Sequence, residues 1–322
     1  MMVGCLRVSL LALAVGGLSG CRSGVGEWHE EDGYRWREVR GPGKAGPGFT
    51  QLQPSRTGIE FANSVTERQL LQNRHLGQGS GVTLGDVDGD GRVDIYLGKT
   101  DGPNVLYRNL GDWRFEDITE RAGVAADDRF TTGVVFVDVD GDGDIDLLVL
   151  SLGGTSSLFL NDGTGVFTEK TEGAGLESGF GSTTATLADV DADGDLDLYV
   201  ANYRVRRVED VYAPADRTFE RTLRKVGDRW EVAPNFREYY RVRIREDLGA
   251  VVRTQRAEPD LFYLNDGSGT FQRVPLTSGR FLDEDGKPLR ADLEYFDLSA
   301  RFYDLDDDGD QDLYVAADFE DP

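Results

Sequence analysis

Short runs of Val, Tyr, Phe and Leu punctuate this chain, and each ends within a few residues at glycine or aspartate. They come in pairs: Gly81–Leu84 with Ile95–Leu97, and Val134–Val137 with Ile145–Val149. Leu198–Val200 and Leu313–Val315 belong to the same set. Branched and aromatic residues suit a pleated surface, and helical signals nearby are few, so the pattern predicts short β-strands.

Ahead of the second run of each pair lies an aspartate ladder. The copies are Asp86, Asp88, Asp90 and Asp94; Asp138, Asp140, Asp142 and Asp146; Asp189, Asp191, Asp193 and Asp197; Asp304, Asp306, Asp308 and Asp312. Each copy places Asp at positions 1, 3, 5 and 9 and Gly at position 6. Alternate carboxylates on a tight turn converge, and the glycine permits the backbone reversal that brings them together. Like charges that close repel by roughly 4 kcal/mol per pair at an effective dielectric near 20. Such a loop calls for a cation, and an all-oxygen donor set selects Ca²⁺ over zinc or copper. An EF-hand would place Glu at position 12 between two helices. Here position 12 is Leu97, Val149, Val200 or Val315, between predicted strands, so that reading fails and a dockerin-like module fails with it.

The ladders begin 52, 51 and 115 residues apart, a period that belongs to propellers or solenoids. A second landmark keeps the register: Asn109 to Phe115, Asn161 to Phe167 and Asn265 to Phe271 read as hairpin turns. The first Asp precedes this Asn by 23 residues in two repeats and by 76 in the third, which locates an insertion at about 203–258. Strand, cation loop, strand, hairpin and strand make one four-stranded blade of about 50 residues.

Net charge is −24, which argues against nucleic acid as a partner. The insertion runs against this balance, with 14 Lys and Arg against 10 Asp and Glu, and it carries Tyr203, Tyr212, Trp230, Tyr239 and Tyr240. Such a surface suits a protein or an acidic glycan. Alternatively the insertion packs back with its arginines paired to neighbouring carboxylates.

Residues 1–20 read as a lipoprotein signal peptide, with Arg7, the apolar run Val8–Val15 and a Leu18-Ser-Gly-Cys21 segment that resembles the bacterial lipobox. Cys21 is then lipidated; an ordinary signal peptide with an incidental cysteine is the alternative. Residues 21–57, rich in Gly, Pro and charge, are expected to be a flexible tether, and 58–322 the repeats. No Gly-x-Ser-x-Gly elbow, zincin helix or phosphate loop is present. His29 and His75 are the two histidines, and neither has a catalytic context in the sequence. An Asp committed to Ca²⁺ makes a poor general acid. No enzymatic activity is expected.

These repeats resemble the FG-GAP/VCBS repeats of integrin-α-type β-propellers, most closely those of cartilage-acidic-protein-like, ASPIC/UnbV-associated bacterial proteins. Gly102–Asn109, Phe115–Val124 and Asp197–Asn202 carry the likeness. The resemblance implies ligation by the side chains of positions 1, 3, 5 and 9 and by the backbone carbonyl of position 7, which is Arg92, Asp144, Asp195 or Asp310, for about four Ca²⁺ ions. It also implies a propeller of more blades than four ladders provide, so the chain reads as an N-terminal fragment with an incomplete propeller. The expected function is a calcium-binding, lipid-anchored module of the bacterial cell envelope, outside the cytoplasm, engaged in binding or adhesion. A polysaccharide lyase or hydrolase on a calcium-rich propeller, and a purely structural surface repeat protein, are the rivals.

Overall fold

The computed structural model describes residues 25–31, 34–39, 49–245, 249–283 and 285–318. Cys21 and the signal segment lie outside the described residues. Residues 1–52 and 53–322 form two separate units.

In the first unit, β1 (Val25–Glu31) pairs antiparallel with β2 (Tyr34–Val39), setting His29 opposite Trp36 with their rings stacked at 4.3 Å. This hairpin lies within the segment expected to be a tether. Glycine and proline concentrate after residue 40, whereas 25–39 supplies aromatic and branched residues around Asp32-Gly33, a hairpin dipeptide.

The second unit is all-β, as the strand pattern predicts. Its first sheet runs β3 (Val82–Gly85), β4 (Asp94–Leu97), β5 (Val105–Gly111), β6 (Arg114–Asp117) in sequence order. The second repeats the plan with β7 (Thr131–Val137), β8 (Asp146–Ser151), β9 (Ser157–Asn161) and β10 (Phe167–Glu169). The third begins with β11 (Ser182–Ala188) and β12 (Asp197–Asn202). The chain then leaves the sheet for two hairpins, β13 (Leu223–Val226) with β14 (Arg229–Val232) and β15 (Tyr240–Arg245) with β16 (Ala250–Gln255). It returns as β17 (Leu261–Asn265), which pairs with β12, and β18 (Phe271–Val274). A last antiparallel pair is β19 (Asp297–Tyr303) with β20 (Asp312–Ala317). All pairings named here are antiparallel and, apart from β12 with β17 across the excursion, join neighbours in sequence, the arrangement of propeller blades.

The core lies between sheets. Tyr96, Leu106, Val134 and Leu147 pack the first sheet on the second; Leu148, Leu158, Leu198 and Tyr263 pack the second on the third. The contact repeats with the sequence period. Tyr96 of the first sheet meets Phe136 of the second at 6.1 Å between ring centres, and Tyr199 of the third meets Phe302 of the last at 6.4 Å. The two outermost members of this series are open: Leu84 is 60% and Tyr314 62% exposed, where Tyr96 and Tyr199 are fully buried.

The excursion between β12 and β17 has its own small core of Val208, Leu223, Val232, Phe236 and Tyr240. Several of its arginines are held by its own carboxylates: Arg207 and Arg217 reach Glu209, Arg221 reaches Asp216, and Arg224 and Arg237 reach Glu231. Arg256 crosses to Glu294 outside it at 2.7 Å. No helix among the described residues is long and apolar enough to cross a membrane.

Candidate metal centres

Each ladder occupies the turn from the first to the second strand of its sheet. The loop is built largely by its own carboxylates. Asp86 accepts the N–H groups of Asp90 at 3.1 Å and Gly91 at 2.7 Å, and Asp189 and Asp304 repeat both bonds with their own positions 5 and 6. Asp138 instead takes Gly141 and Gly143. Position 5 accepts the amide of position 7 in all four loops, Arg92, Asp144, Asp195 and Asp310, at 2.9–3.1 Å. Two residues per loop are left-handed. Gly91, Gly143, Gly194 and Gly309 at position 6 have φ between +81° and +99°, as the glycine predicts. Position 4 is left-handed too, where the loops carry Gly89, Gly141, Ala192 and Asp307. Alanine there is strained, since its Cβ crowds the following carbonyl.

Convergence follows. Carboxylate oxygens of Asp86, Asp88 and Asp90 lie within 4.8 Å of one another, as do those of Asp304, Asp306 and Asp308. In the middle loops the triads are Asp138, Asp140 and Asp146, and Asp189, Asp191 and Asp197. Asp142 and Asp193 stand outside these triads, as do Asp94 and Asp312 in theirs. The set fits a hard cation: three anionic oxygens on a small radius, with no nitrogen or sulfur donor.

Position 9 has a second task. Asp94 accepts the N–H of Val87 at 3.0 Å on one oxygen and that of Asn109 at 2.7 Å on the other. Asp146 does the same with Val139 and Asn161, and Asp197 with Val190 and Asn265. Each oxygen keeps a lone pair for a cation. Burial pushes the Asp146 carboxyl up to about 6 and raises Asp94 and Asp197 as well; a bound cation would reverse that direction. At position 7, the Asp144 and Asp195 carboxylates sit against Gly163 and Gly267 of the hairpin, where any Cβ would collide with them.

Three features escape sequence reading. Asn161 and Asn265 reach back to the preceding repeat, donating to the carbonyls of Val87 at 2.9 Å and Val139 at 2.8 Å. In the first loop an internal cation is already in place: the Arg108 guanidinium pairs with Asp88 and, at 3.1 Å, with Asp90. Arg92 joins Asp90 at 2.8 Å. The third is a buried carboxyl pair: Asp260 hydrogen-bonds Asp297 and takes the Tyr199 hydroxyl and the Asn202 amide. Burial and the neighbouring Asp297 raise the Asp260 carboxyl far above its ordinary range. The first repeat places neutral Asn104 at the equivalent point, bonded to Tyr96 and the Lys99 amide.

Comparison with known proteins agrees with this geometry. The FG-GAP-like repeat pattern matches residues 86–149 and again 138–200, two ladder-to-ladder units. The chain carries FG-GAP-like repeats. Cartilage acidic protein 1 of Xenopus tropicalis is 30% identical over 154 residues, which is 47% of this chain and 23% of the relative. The Homo sapiens protein of that name is 29% identical over 152 residues, 47% of this chain and 22% of the relative. The match thus spans less than a quarter of either relative's length. These repeats are consistent with a structural or binding repeat module, and the spacing of the aspartate clusters is one that could hold metal ions.

Proposed function

We propose that the chain is a calcium-binding propeller lipoprotein, anchored through Cys21 to the bacterial envelope outside the cytoplasm, that binds or adheres without catalysis. The observation that carries this reading is the fourfold recurrence of converging carboxylate triads at one place in each sheet. Bound Ca²⁺ would supply positive charge that relieves carboxylate repulsion. The triad aspartates would hold it, about one ion per loop, while Asp94, Asp146 and Asp197 tie each loop to its hairpin. The role is structural.

The exposed β13–β14 hairpin, with Arg224, Lys225 and Arg229, is the surface offered to a protein or an acidic glycan at the cell surface. The open Leu84 and Tyr314 faces support the further reading that additional blades of a longer chain complete the propeller. Retention of the purified chain on immobilised polyanionic glycan, in millimolar Ca²⁺ and in EGTA, tests the binding role. Turnover of that glycan, abolished by an Arg229→Ala substitution, would instead favour the polysaccharide-active enzyme.

A further inference from the structure

The first strands of the sheets carry a second repeated device at the ends opposite the ladders. Pairing slips between Thr131 and Gly133, between Ser182 and Thr184, and between Asp297 and Ser299, so a β-bulge recurs in three sheets. The bulged residues are Thr132, Thr183 and Leu298, each six positions before its ladder, and Ser80 holds that place in the first repeat. Bulges re-aim side chains and often adjoin sites. All four residues line one cavity of about 320 Å³, together with His75, Gln78, Leu152, Tyr203 and Arg204.

Acceptors dominate the chemistry of this wall, with the Gln78 side-chain NH2 as a donor beside them. The Ser80 hydroxyl donates to the Gly98 carbonyl, Thr132 to Ser182, and Thr183 to Ala201 and Asp297. Their protons are committed and their oxygens remain acceptors. His75 sits in a 3₁₀ turn (Arg74–Gly77), its amide fixed by Asn73 at 3.0 Å and its ring against Tyr203 at 4.8 Å. Facing the Gln78 amide oxygen at 3.0 Å, Nδ1 carries the proton, which leaves Nε2 as an acceptor with no partner. Burial lowers the imidazole's proton affinity, which keeps the ring neutral. Arg204 is the one cation in the wall among the described residues, and it is spent on the carbonyls of Arg206 and Arg256 and on Glu238. Among the described residues no carboxylate lines the cavity. Leu152, Leu298 and Tyr203 add apolar surface.

A wall rich in acceptors, its one charge paired with Glu238 and its surface partly apolar, complements a ligand that donates several O–H groups and presents C–H faces. We propose that this cavity binds a neutral, hydroxyl-rich small molecule the size of one monosaccharide ring. The bulges at Thr132 and Thr183 place two of the acceptors, and His75, whose Nε2 is buried and unpartnered, supplies the one nitrogen that a ligand hydroxyl would satisfy. The site does not depend on the cation loops.

Saturation-transfer NMR with D-glucose, on the whole chain in millimolar Ca²⁺, tests this. Transfer is expected, with millimolar affinity. His75→Phe keeps the ring against Tyr203 and removes the acceptor; it should weaken binding about tenfold, the size of one hydrogen bond. Leu298→Trp, at a half-exposed position, fills the cavity and should abolish transfer while leaving the melting curve in place. No transfer from the unsubstituted chain to glucose, or transfer unchanged in both variants, overturns the proposal. Sodium acetate or methylammonium competing glucose away overturns the neutral class.

Discussion

The side-chain amide of Asn161 donates to the backbone carbonyl of Val87, 74 residues earlier, at 2.9 Å. Val87 is position 2 of the first cation loop, so the hairpin of one sheet is fastened to the loop of the sheet before it. Asn265 repeats the bond to Val139 at 2.8 Å. Asn109 turns its amide to Val93 of its own repeat. Asn161→Ala would strip a donor from the buried Val87 carbonyl and the half-buried Ile145 carbonyl, and should cost about 1–3 kcal/mol in urea unfolding. Asn109→Ala, in an exposed setting, should cost less, and the difference measures the link between repeats.

Ala192 has φ +60° where the first two loops have glycine. Ala192→Gly relieves a left-handed alanine and should raise stability by about 0.5–1 kcal/mol, after the entropy that glycine loses is deducted. Chemical denaturation of the calcium-loaded protein reads this as a higher midpoint. Gly143→Ala in the preceding loop, at φ +95°, should move it the other way.

Arg108 competes with any cation for Asp88 and Asp90, while the corresponding residues of the second and third repeats are Leu160 and Leu264. The first loop should therefore be the weakest calcium site. Arg108→Leu should tighten it severalfold by calorimetric titration and leave the other sites unchanged.

The Asp260 carboxyl, pushed up to about 9 by burial and by Asp297, holds its proton in the folded chain at pH values where the unfolded chain has lost it. The folded state then binds more protons, so this group's stabilisation is complete below about pH 4 and is lost as pH rises toward 9. Asp260→Asn copies the Asn104 solution of the first repeat. Melting temperature should fall less between pH 5 and 9 in that variant than in the parent, an outcome that thermal melts across this range (about 5 to 9) check directly.

Much of this architecture is legible in the sequence because its period is written in chemistry. Four ladders and three Asn turns fix the β-strands, their pairing and the place of the cation loops. What is not legible depends on contacts between repeats. The backward reach of Asn161, the guanidinium of Arg108 beside Asp88, and the meeting of Asp260 with Asp297 join residues far apart in the chain. Position 4 of the loop is also hidden, since Ala192 and Asp307 give no hint of a left-handed backbone. The hairpin at 25–39 is hidden for another reason: the Gly- and Pro-rich run that follows dominates the composition of its segment.

Calcium binding at the ladders is the central claim, and thermal unfolding with excess Ca²⁺ against EGTA tests it most directly. A site saturated about tenfold above its dissociation constant adds about 1.4 kcal/mol, and several loops add together. The melting temperature should therefore rise by several degrees in millimolar Ca²⁺, and Asp138→Asn combined with Asp189→Asn should remove much of that rise. Superimposable melts in Ca²⁺ and EGTA, with no heat on calcium titration, would contradict it.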